Sequence, residues 1–304
     1  MSLSGTDDCW PEDALQHLGA CPLCGQAGSC VVYRGMRDST FRCAPGLWNF
    51  SKCAGCGCLY LDPRPSRESI GLAYRKYYTH GYDKNPARTL AGKIRVGIRN
   101  GYLNKQYGLH EWPAFAIGHL ISLIFPKLKP RIDLMLREFM PPVHGESRLL
   151  DIGCGGGDFL AMAGESGWRA EGIDVDPKAA RYAKARGLQV LEGEIHSIGY
   201  SDSSFDAIRL NHVIEHLYDP LEVLRACHGF LRPGGVLWVA TPDVGSSAHQ
   251  QMRASWYHLD PPRHLVLIHK RLLLDVLSVT GFAQVDLLSP DTRSSEEAIA
   301  VGVK

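Results

Sequence analysis

Little in this sequence is extreme, and each lack excludes something. The 304 residues carry no excess of charge: 33 basic against 32 acidic residues leave a net charge of +1 with histidine neutral. That balance argues against a nucleic-acid surface driven by bulk electrostatics, which needs many phosphate-facing cations. Only a local basic patch stays open. Long apolar runs are also missing. The longest, Ala114 to Phe125, is too short to cross a bilayer as a helix. Met1 to Asp8 has no basic start and no apolar stretch, so no signal peptide is visible. These lacks make a cytoplasmic protein the expectation, with cysteines serving as thiols, ligands or core residues instead of disulfides. Nothing here sets an oligomeric state.

Cysteine is not scarce but is unevenly spread. Of ten, eight lie before residue 60. Cys21-Pro22-Leu23-Cys24-Gly25 and Cys53-Ala54-Gly55-Cys56-Gly57 form two C-x-x-C-G knuckles. Each can turn two thiolates toward one ion, and the glycine permits the tight turn. Together Cys21, Cys24, Cys53 and Cys56 predict a tetrahedral four-cysteine zinc ribbon. The gap of about 28 residues between knuckles exceeds the usual ~15–20, so an extended hairpin is expected, from Cys30–Arg34 and Asn49–Ser51. A redox reading needs a thioredoxin-like context, which is absent. Cys9, Cys30, Cys43 and Cys58 read as bystanders, with Cys58 able to compete with Cys56. A closed site of this kind has no open coordination position, so its expected role is folding, and substrate docking, not catalysis.

Leu61-Asp62-Pro63-Arg64-Pro65 reads as a stiff connector. Ser66-Arg67-Glu68-Ser69 then predicts an N-cap for a helix carrying Ile70, Leu72, Ala73, Tyr74, Tyr77 and Tyr78. Residues 79–145 read as mostly helical, with an amphipathic helix at Arg131–Met140. The apolar run ending at Phe125 precedes Lys127, Lys129 and Arg131. It fits an interfacial helix making peripheral membrane contact, or a buried cap helix, which is the preferred reading.

The most informative stretch is Leu149-Leu150-Asp151-Ile152-Gly153-Cys154-Gly155-Gly156-Gly157-Asp158. It reads as an apolar strand, an acid at its tip, a glycine turn and a helix start. About 20 residues on, Ala170-Glu171-Gly172-Ile173-Asp174 reads as a second strand ending in an acid suited to a ribose diol. The dinucleotide fingerprint is G-x-G-x-x-G. Here the pattern is D-x-G-x-G-x-G. Further strands are expected at Gly187–Ile195, Ser204–Leu210, Leu231–Pro242, Gln284–Leu288 and Glu297–Val303. A helix from Lys270 to Thr280 should be closed by Gly281.

This ordered set resembles the class I S-adenosylmethionine-dependent methyltransferases over residues 146–304. The glycine run resembles their first motif, and Leu231-Arg232-Pro233-Gly234-Gly235 resembles their "LKPGG" signature before the fifth strand. Glu194 departs from the more usual aspartate, and Cys154 is a common variant. The order of zinc ribbon, LDPRP, helix and core resembles, more loosely, a bacterial group implied in saccharide or natural-product modification. The resemblance implies an α/β fold: a doubly wound seven-stranded Rossmann-like sheet with a small N-terminal zinc ribbon and a helical cap, divided as 1–62, 63–145 and 146–304. It implies S-adenosylmethionine as cofactor. Gly153, Cys154, Gly155 and Gly157 shape its loop, and Asp151 lies near its methionine end. Asp174 binds the ribose with Val175 beside it, Glu194 and Ile195 flank the adenine, and Asn211 lies under the methionine moiety. Tyr77 and Tyr78 read either as a lid or as helix packing.

Methyl transfer to a hydroxyl needs a base, and open α/β sheets place sites at the carboxyl edge. There the chain has Asn211-His212-Val213-Ile214-Glu215-His216 and, after the fifth strand, Trp256-Tyr257-His258-Leu259-Asp260-Pro261-Pro262-Arg263-His264-Leu265. His216 and His264 are the first choices for base and orienting partner, with His212 close by. A sharper alternative puts His212, Glu215 and His216 on one face of a helix turn, joined by His264 around a divalent metal. That resembles the metal site of small-RNA 2′-O-methyltransferases, although His212 stands where they have an acid. The preferred reading keeps the base and expects chelation to leave activity intact once the zinc ribbon is controlled for. The expected reaction is O-methylation of a small polar acceptor, a sugar hydroxyl first. The alternatives are an RNA or quinone-precursor O-methyltransferase, C- or N-methylation of a sugar, and a non-catalytic cofactor-binding protein whose ribbon docks a partner.

Overall fold

A computed structural model of the chain describes residues 9–75, 146–288 and 296–304, and within 94–120 it describes 94, 97–98, 100–102, 104–105, 112–118 and 120. Tyr77, Tyr78, Lys127, Lys129, the stretch Arg131–Met140 and most of the expected cap lie outside the described residues. No helix among the described residues is long and apolar enough to cross a membrane.

In chain order the strands are β1 Leu15–Gln16, β2 Ser29–Met36, β3 Trp48–Cys53, β4 Leu59–Leu61, β5 Arg64–Pro65, β6 Arg148–Ile152, β7 Arg169–Asp174, β8 Gln189–Glu192, β9 Phe205–Asn211, β10 Leu231–Pro242, β11 Val266–Leu267, β12 Gln284–Leu287 and β13 Glu297–Val303. The helices used below are α1 Asp158–Glu165, α2 Pro177–Ala185, α3 Pro220–Phe230, α4 Ser247–Met252 and α5 Lys270–Val279. Seven strands form one mixed sheet in the order β12-β13-β10-β9-β6-β7-β8. β6 pairs parallel to β7, and β7 to β8, while β12 and β13 are antiparallel. The chain winds outward from β6 to β8 and returns to β9 beside β6, which makes that position the switch point of a Rossmann-like sheet.

The chain clusters into two compact units. One gathers the N-terminal segment with Leu210–His228 and Val239–Val303; the other includes β6, β7, β8 and Gly229–Trp238. In the second, Leu149, Ala163, Trp168 and Ala207 form one core cluster, and Leu160, Ala180, Ala183 and Val190 another. Asp176 caps α2 by accepting from the Lys178 N–H at 2.8 Å, with Pro177 at the first helical position.

In the first unit, β2 and β3 form the expected hairpin inside a four-stranded sheet ordered β11-β4-β3-β2. The fourth strand is unexpected: Val266 and Leu267 come from the far end of the chain and pair with Tyr60 and Leu59. The core of this unit mixes both sources, with Trp48, Phe50 and Leu61 packed with Trp256, Leu259 and Leu265. Helix α5 closes as expected. Gly281, at φ 112°, donates to Ser278 O, and Phe282 N donates to Leu277 O at 3.3 Å. One local expectation is corrected. Ile70–Tyr74 is a 3₁₀ helix whose N-cap is Ser69, and no side chain caps it. The Ser66 hydroxyl is instead within reach of the Ser69 hydroxyl, at 3.3 Å, so it leaves the orphan N–H groups alone.

Candidate functional site

The glycine turn after β6 is built by three left-handed residues, Gly153 at φ 70°, Gly155 at φ 55° and Gly157 at φ 80°. A side chain with Cβ resists this conformation, and a Cβ on Gly157 would also overlap Leu188 Cδ1. The turn is tied to β7 from both sides. Gly153 N and Cys154 N donate to Ile173 O at 2.8 and 3.1 Å. Asp174 accepts from Gly155 N at 2.7 Å with Oδ2 and from Asp176 N at 2.8 Å with Oδ1. Val175 is exposed, Glu194 is exposed and Ile195 is buried. Cys154 is buried, and burial pushes its thiol up.

Asp151 is fully buried, and its Oδ1 accepts from Arg209 Nη1 at 2.7 Å while Oδ2 has no hydrogen-bond partner. Burial raises the Asp151 carboxyl against the pull of Arg209. Sequence reasoning missed Arg209. Its signal is an arginine inside the apolar strand Ile208-Arg209-Leu210, a charge that must find a partner. The orphaned Oδ2 and the Cβ-free turn fit the ammonium and amino-acid tail of S-adenosylmethionine.

The histidines lie in the other unit, where Asn211 ends β9 half-buried. His212 is not on a helix turn with Glu215 and His216. It sits at φ 54°, and only Ile214–His216 is helical, as a single 3₁₀ turn. The left-handed residue swings the His212 ring away from a shared helical face. Its Nδ1 lies 3.3 Å from Glu215 Oε1 and its Nε2 3.1 Å from Glu297 Oε1. Burial alone would lower its pKa, but the two carboxylates outweigh that and raise it to about 10. Glu215, wholly buried, would be raised by burial, yet His212 and the neighbouring imidazoles hold it down to about 2. His212 is thus an imidazolium clamped by two carboxylates at neutral pH, and drops out of the expected metal set.

A histidine raised from 6.5 to about 10 on folding stabilises the protein fully below its unfolded value, and the contribution is lost as pH rises through about 10. Urea unfolding between these limits should lose midpoint with rising pH, and His212→Gln should flatten that loss. An equally steep slope in the variant would assign it to other groups.

Glu215, His216 and His264 remain together, each offering one ligand atom within 4.8 Å of the others. His216 Nδ1 lies 3.0 Å from Arg263 O and 3.1 Å from the Tyr74 hydroxyl. A carbonyl only accepts, so Nδ1 carries the proton and Nε2 the lone pair. By the same logic His264 Nδ1 donates to His258 O at 2.6 Å. The rings of His216 and His264 meet edge to face at 4.7 Å. Burial and the nearby His216 lower His264 to about 4, so it is neutral. Glu215 Oε2 accepts from Thr241 Oγ1 at 3.0 Å, and Oε1 faces the His212 imidazolium. Two imidazoles with Nδ1 on backbone carbonyls and a buried carboxylate make a base site, and equally a donor set that could hold one divalent ion.

The Pro261–Leu265 segment is pinned to this cluster. Leu265 N donates to Glu215 O at 2.7 Å. Arg263, fully buried, forks onto both Asp38 and Asp260 at 2.6 Å each.

The four knuckle cysteines also converge. Cys21 Sγ is 3.7 Å from Cys56 Sγ, and Cys24 Sγ is 3.5 Å from Cys53 Sγ. Four sulfurs at ~2.3 Å from one zinc in a tetrahedron would stand about 3.8 Å apart. Cys58 Sγ lies 3.4 Å from both Cys21 and Cys56, so it stands against the set as a fifth thiol. Cys9 and Cys30 are exposed and outside the cluster.

Residues 110–287, more than half of the chain, match a family model described as a methyltransferase domain. The chain is 32% identical over 102 residues to a ubiquinone biosynthesis O-methyltransferase of Xanthomonas campestris pv. campestris (strain B100), covering 31% of this chain and 43% of that protein. It is 33% identical over 111 residues to the protein so named in Albidiferax ferrireducens, covering 33% and 42%. The match thus spans under half the length of these curated relatives. A solved SAM-dependent methyltransferase from Archaeoglobus fulgidus aligns with TM-score 0.47 and 19% identity, covering 61% of this chain and 99% of that one.

Proposed function

Because the chain belongs to the methyltransferase-domain family, whose members are enzymes, we propose that it uses S-adenosylmethionine to methylate a hydroxyl of a small polar acceptor, a sugar hydroxyl first. The observation that carries the reading is the half-buried His216, whose Nδ1 is committed to Arg263 O and whose Nε2 keeps the lone pair, packed edge to face on the buried, neutral His264. Bound S-adenosylmethionine supplies a methyl activated by positive sulfur. The protein's part is to hold both reactants and to take a proton. Asp151 Oδ2 would face the cofactor's ammonium, and Asp174 its ribose hydroxyls. Val175 would lie beside that ribose, Glu194 and Ile195 would flank the adenine, and Asn211 would lie under the methionine portion. His216 Nε2 would accept the acceptor's hydroxyl proton as the new C–O bond forms and the C–S bond breaks. The imidazolium so formed would be stabilised by ionised Glu215.

A phenolic hydroxyl is the second acceptor class, and what favours it is the name borne by the partial relatives. Net charge near zero supports neither against the other but weighs against RNA. The test is incubation with methyl-labelled S-adenosylmethionine and a panel of nucleotide sugars, glycans, phenols and RNA, read by mass. Label on a sugar supports the reading, label on a phenol moves it to the second class, and cofactor binding without transfer to any acceptor overturns it.

Cys21, Cys24, Cys53 and Cys56 are proposed to hold a structural zinc. Metal analysis should find about one zinc per chain, and Cys53→Ser should lose it together with cooperative melting of the β2–β3 hairpin. Full zinc content in the variant would point to Cys58 as a substitute ligand.

A further inference from the structure

We infer that the cleft between the β2–β3 hairpin and α4 binds a phosphoryl group of a small-molecule ligand. The cleft has a volume of about 800 Å³ and lies wholly within one unit. That is the size of a small-molecule pocket. Its charged lining is one-sided. Lys52 comes from β3 and Arg253 from the end of α4, His249 and His269 add two imidazoles, and none of its lining residues is acidic. In a chain whose overall charge is balanced, two cations and two imidazoles converging on one concavity is a local departure. No ion pair holds Lys52 or Arg253 among the described residues. Exposed cations that make no ion pair, gathered at one concavity, raise the local potential toward an anion, even with the buried Asp243 carboxylate behind Gly245.

Two further features favour a ligand over a solvated surface. Arg253 is held at φ 48° and ψ −120°, a backbone region an L residue avoids. Such residues persist where surrounding structure over-determines them, and they cluster at ligand sites. The imidazole of His249 is also fixed rather than mobile. Its Nδ1 meets Val244 O at 2.6 Å and so carries the proton, leaving Nε2 as acceptor for the Tyr33 hydroxyl at 2.9 Å. A carbonyl and a phenol thereby orient one wall. Gly57 and Gly245 bring bare backbone to the lining, and a Cβ on Gly245 would crowd His269 Cβ at 3.2 Å.

A chain of ring contacts runs from the cleft's His249 to His212. His249 packs on Trp256 at 4.7 Å, Trp256 meets His258 edge to face at 5.1 Å, and His258 stacks on His212 at 6.2 Å with planes 8° apart. The chemistry points to a phosphate- or diphosphate-bearing molecule; that this molecule is the methyl acceptor rests on the proposed function, whereas binding itself does not.

The full chain should be titrated calorimetrically with inorganic pyrophosphate at constant ionic strength, in parallel with S-adenosylhomocysteine. Saturable binding of pyrophosphate at one site is expected. It should weaken about tenfold in Lys52→Gln and again in Arg253→Gln, and stay unchanged in Arg225→Gln, an exposed arginine on α3. S-adenosylhomocysteine affinity should be unchanged in all three. Non-saturable binding, or equal weakening in Arg225→Gln, would overturn the inference as general charge attraction. Should pyrophosphate bind as expected while S-adenosylhomocysteine does not bind at all, the cleft stands and the methyl-transfer reading fails.

Discussion

Arg263→Met is expected to cost the folded protein about 3–5 kcal/mol, the largest stability effect among the residues described here. Arg263 is 0% exposed, and all of its donor groups are used. Nε and Nη2 reach Asp260 at 2.9 and 2.6 Å, Nη2 and Nη1 reach Asp38 at 2.6 and 3.0 Å, and Nη1 also reaches Ala73 O at 3.2 Å. A fork of this kind satisfies two carboxylates at once, which lysine cannot reproduce. Methionine fills the volume but leaves Asp38 and Asp260, both nearly buried, as two like charges with no cation. Asp38 keeps three backbone donors, the N–H groups of Phe41, Cys43 and Ala44, so it is poorly able to escape by moving. Burial by itself pushes the Asp38 carboxyl up, but Arg263 and those amides hold it well below the ordinary carboxylate range. A depressed folded pKa stabilises above the unfolded value and is lost as pH falls. The wild type should therefore weaken in acid, and Arg263→Met should weaken less there, because protonated Asp38 and Asp260 no longer repel. Urea unfolding at neutral and acidic pH measures both. A loss under about 1 kcal/mol at neutral pH would mean that water reaches the carboxylates. Asp38→Asn combined with Arg263→Met should then be no better than the single change.

Much of the Rossmann-like half was legible because its signals are local. The apolar strand, the glycine turn and Asp174 lie within one short stretch, Arg148 to Asp174, and the positive φ of Gly153, Gly155 and Gly157 is what only glycine tolerates at no steric cost. The Gly281 cap was legible for the same reason. What escaped is pairing over long separations. Asp38 and Arg263 are 225 positions apart, and nothing in either neighbourhood marks the other. Two residues of β11 cannot announce themselves as a strand, since their partner Leu59–Tyr60 supplies the hydrogen bonds. The reading of His212, Glu215 and His216 as one helical face had the right residues and the wrong backbone. Spacing of three and four suits a helix, but the chain there turns through a left-handed residue into a single 3₁₀ turn. The outcome is two arrangements in place of one, a clamped His212 and a separate triple of Glu215, His216 and His264.

That triple fixes the expected consequence of changing His216. His216→Asn should lower the rate of label transfer about 10²–10⁴-fold, the range of a lost general base, while S-adenosylhomocysteine still binds. Asparagine is chosen because its amide N–H can stand where Nδ1–H stood, donating to Arg263 O, so the segment around Arg263 keeps its anchor. What disappears is the lone pair at Nε2. His264→Asn should cost less if His216 is the base. His264 is already neutral at working pH, its pKa lowered to about 4, and it acts by packing against His216 at 4.7 Å. A metal reading makes the opposite forecast, because two imidazoles and Glu215 would each be one ligand and either histidine change would remove the ion. The two forecasts separate on chelation. With zinc content of the cysteine cluster held constant, the base reading expects activity to survive a chelator. Activity lost to the chelator and restored by Mg²⁺ or Mn²⁺, but not by zinc, would instead assign the triple to a divalent ion. Equal loss in His216→Asn and His264→Asn, with a matching loss of bound metal, would then follow from the same geometry.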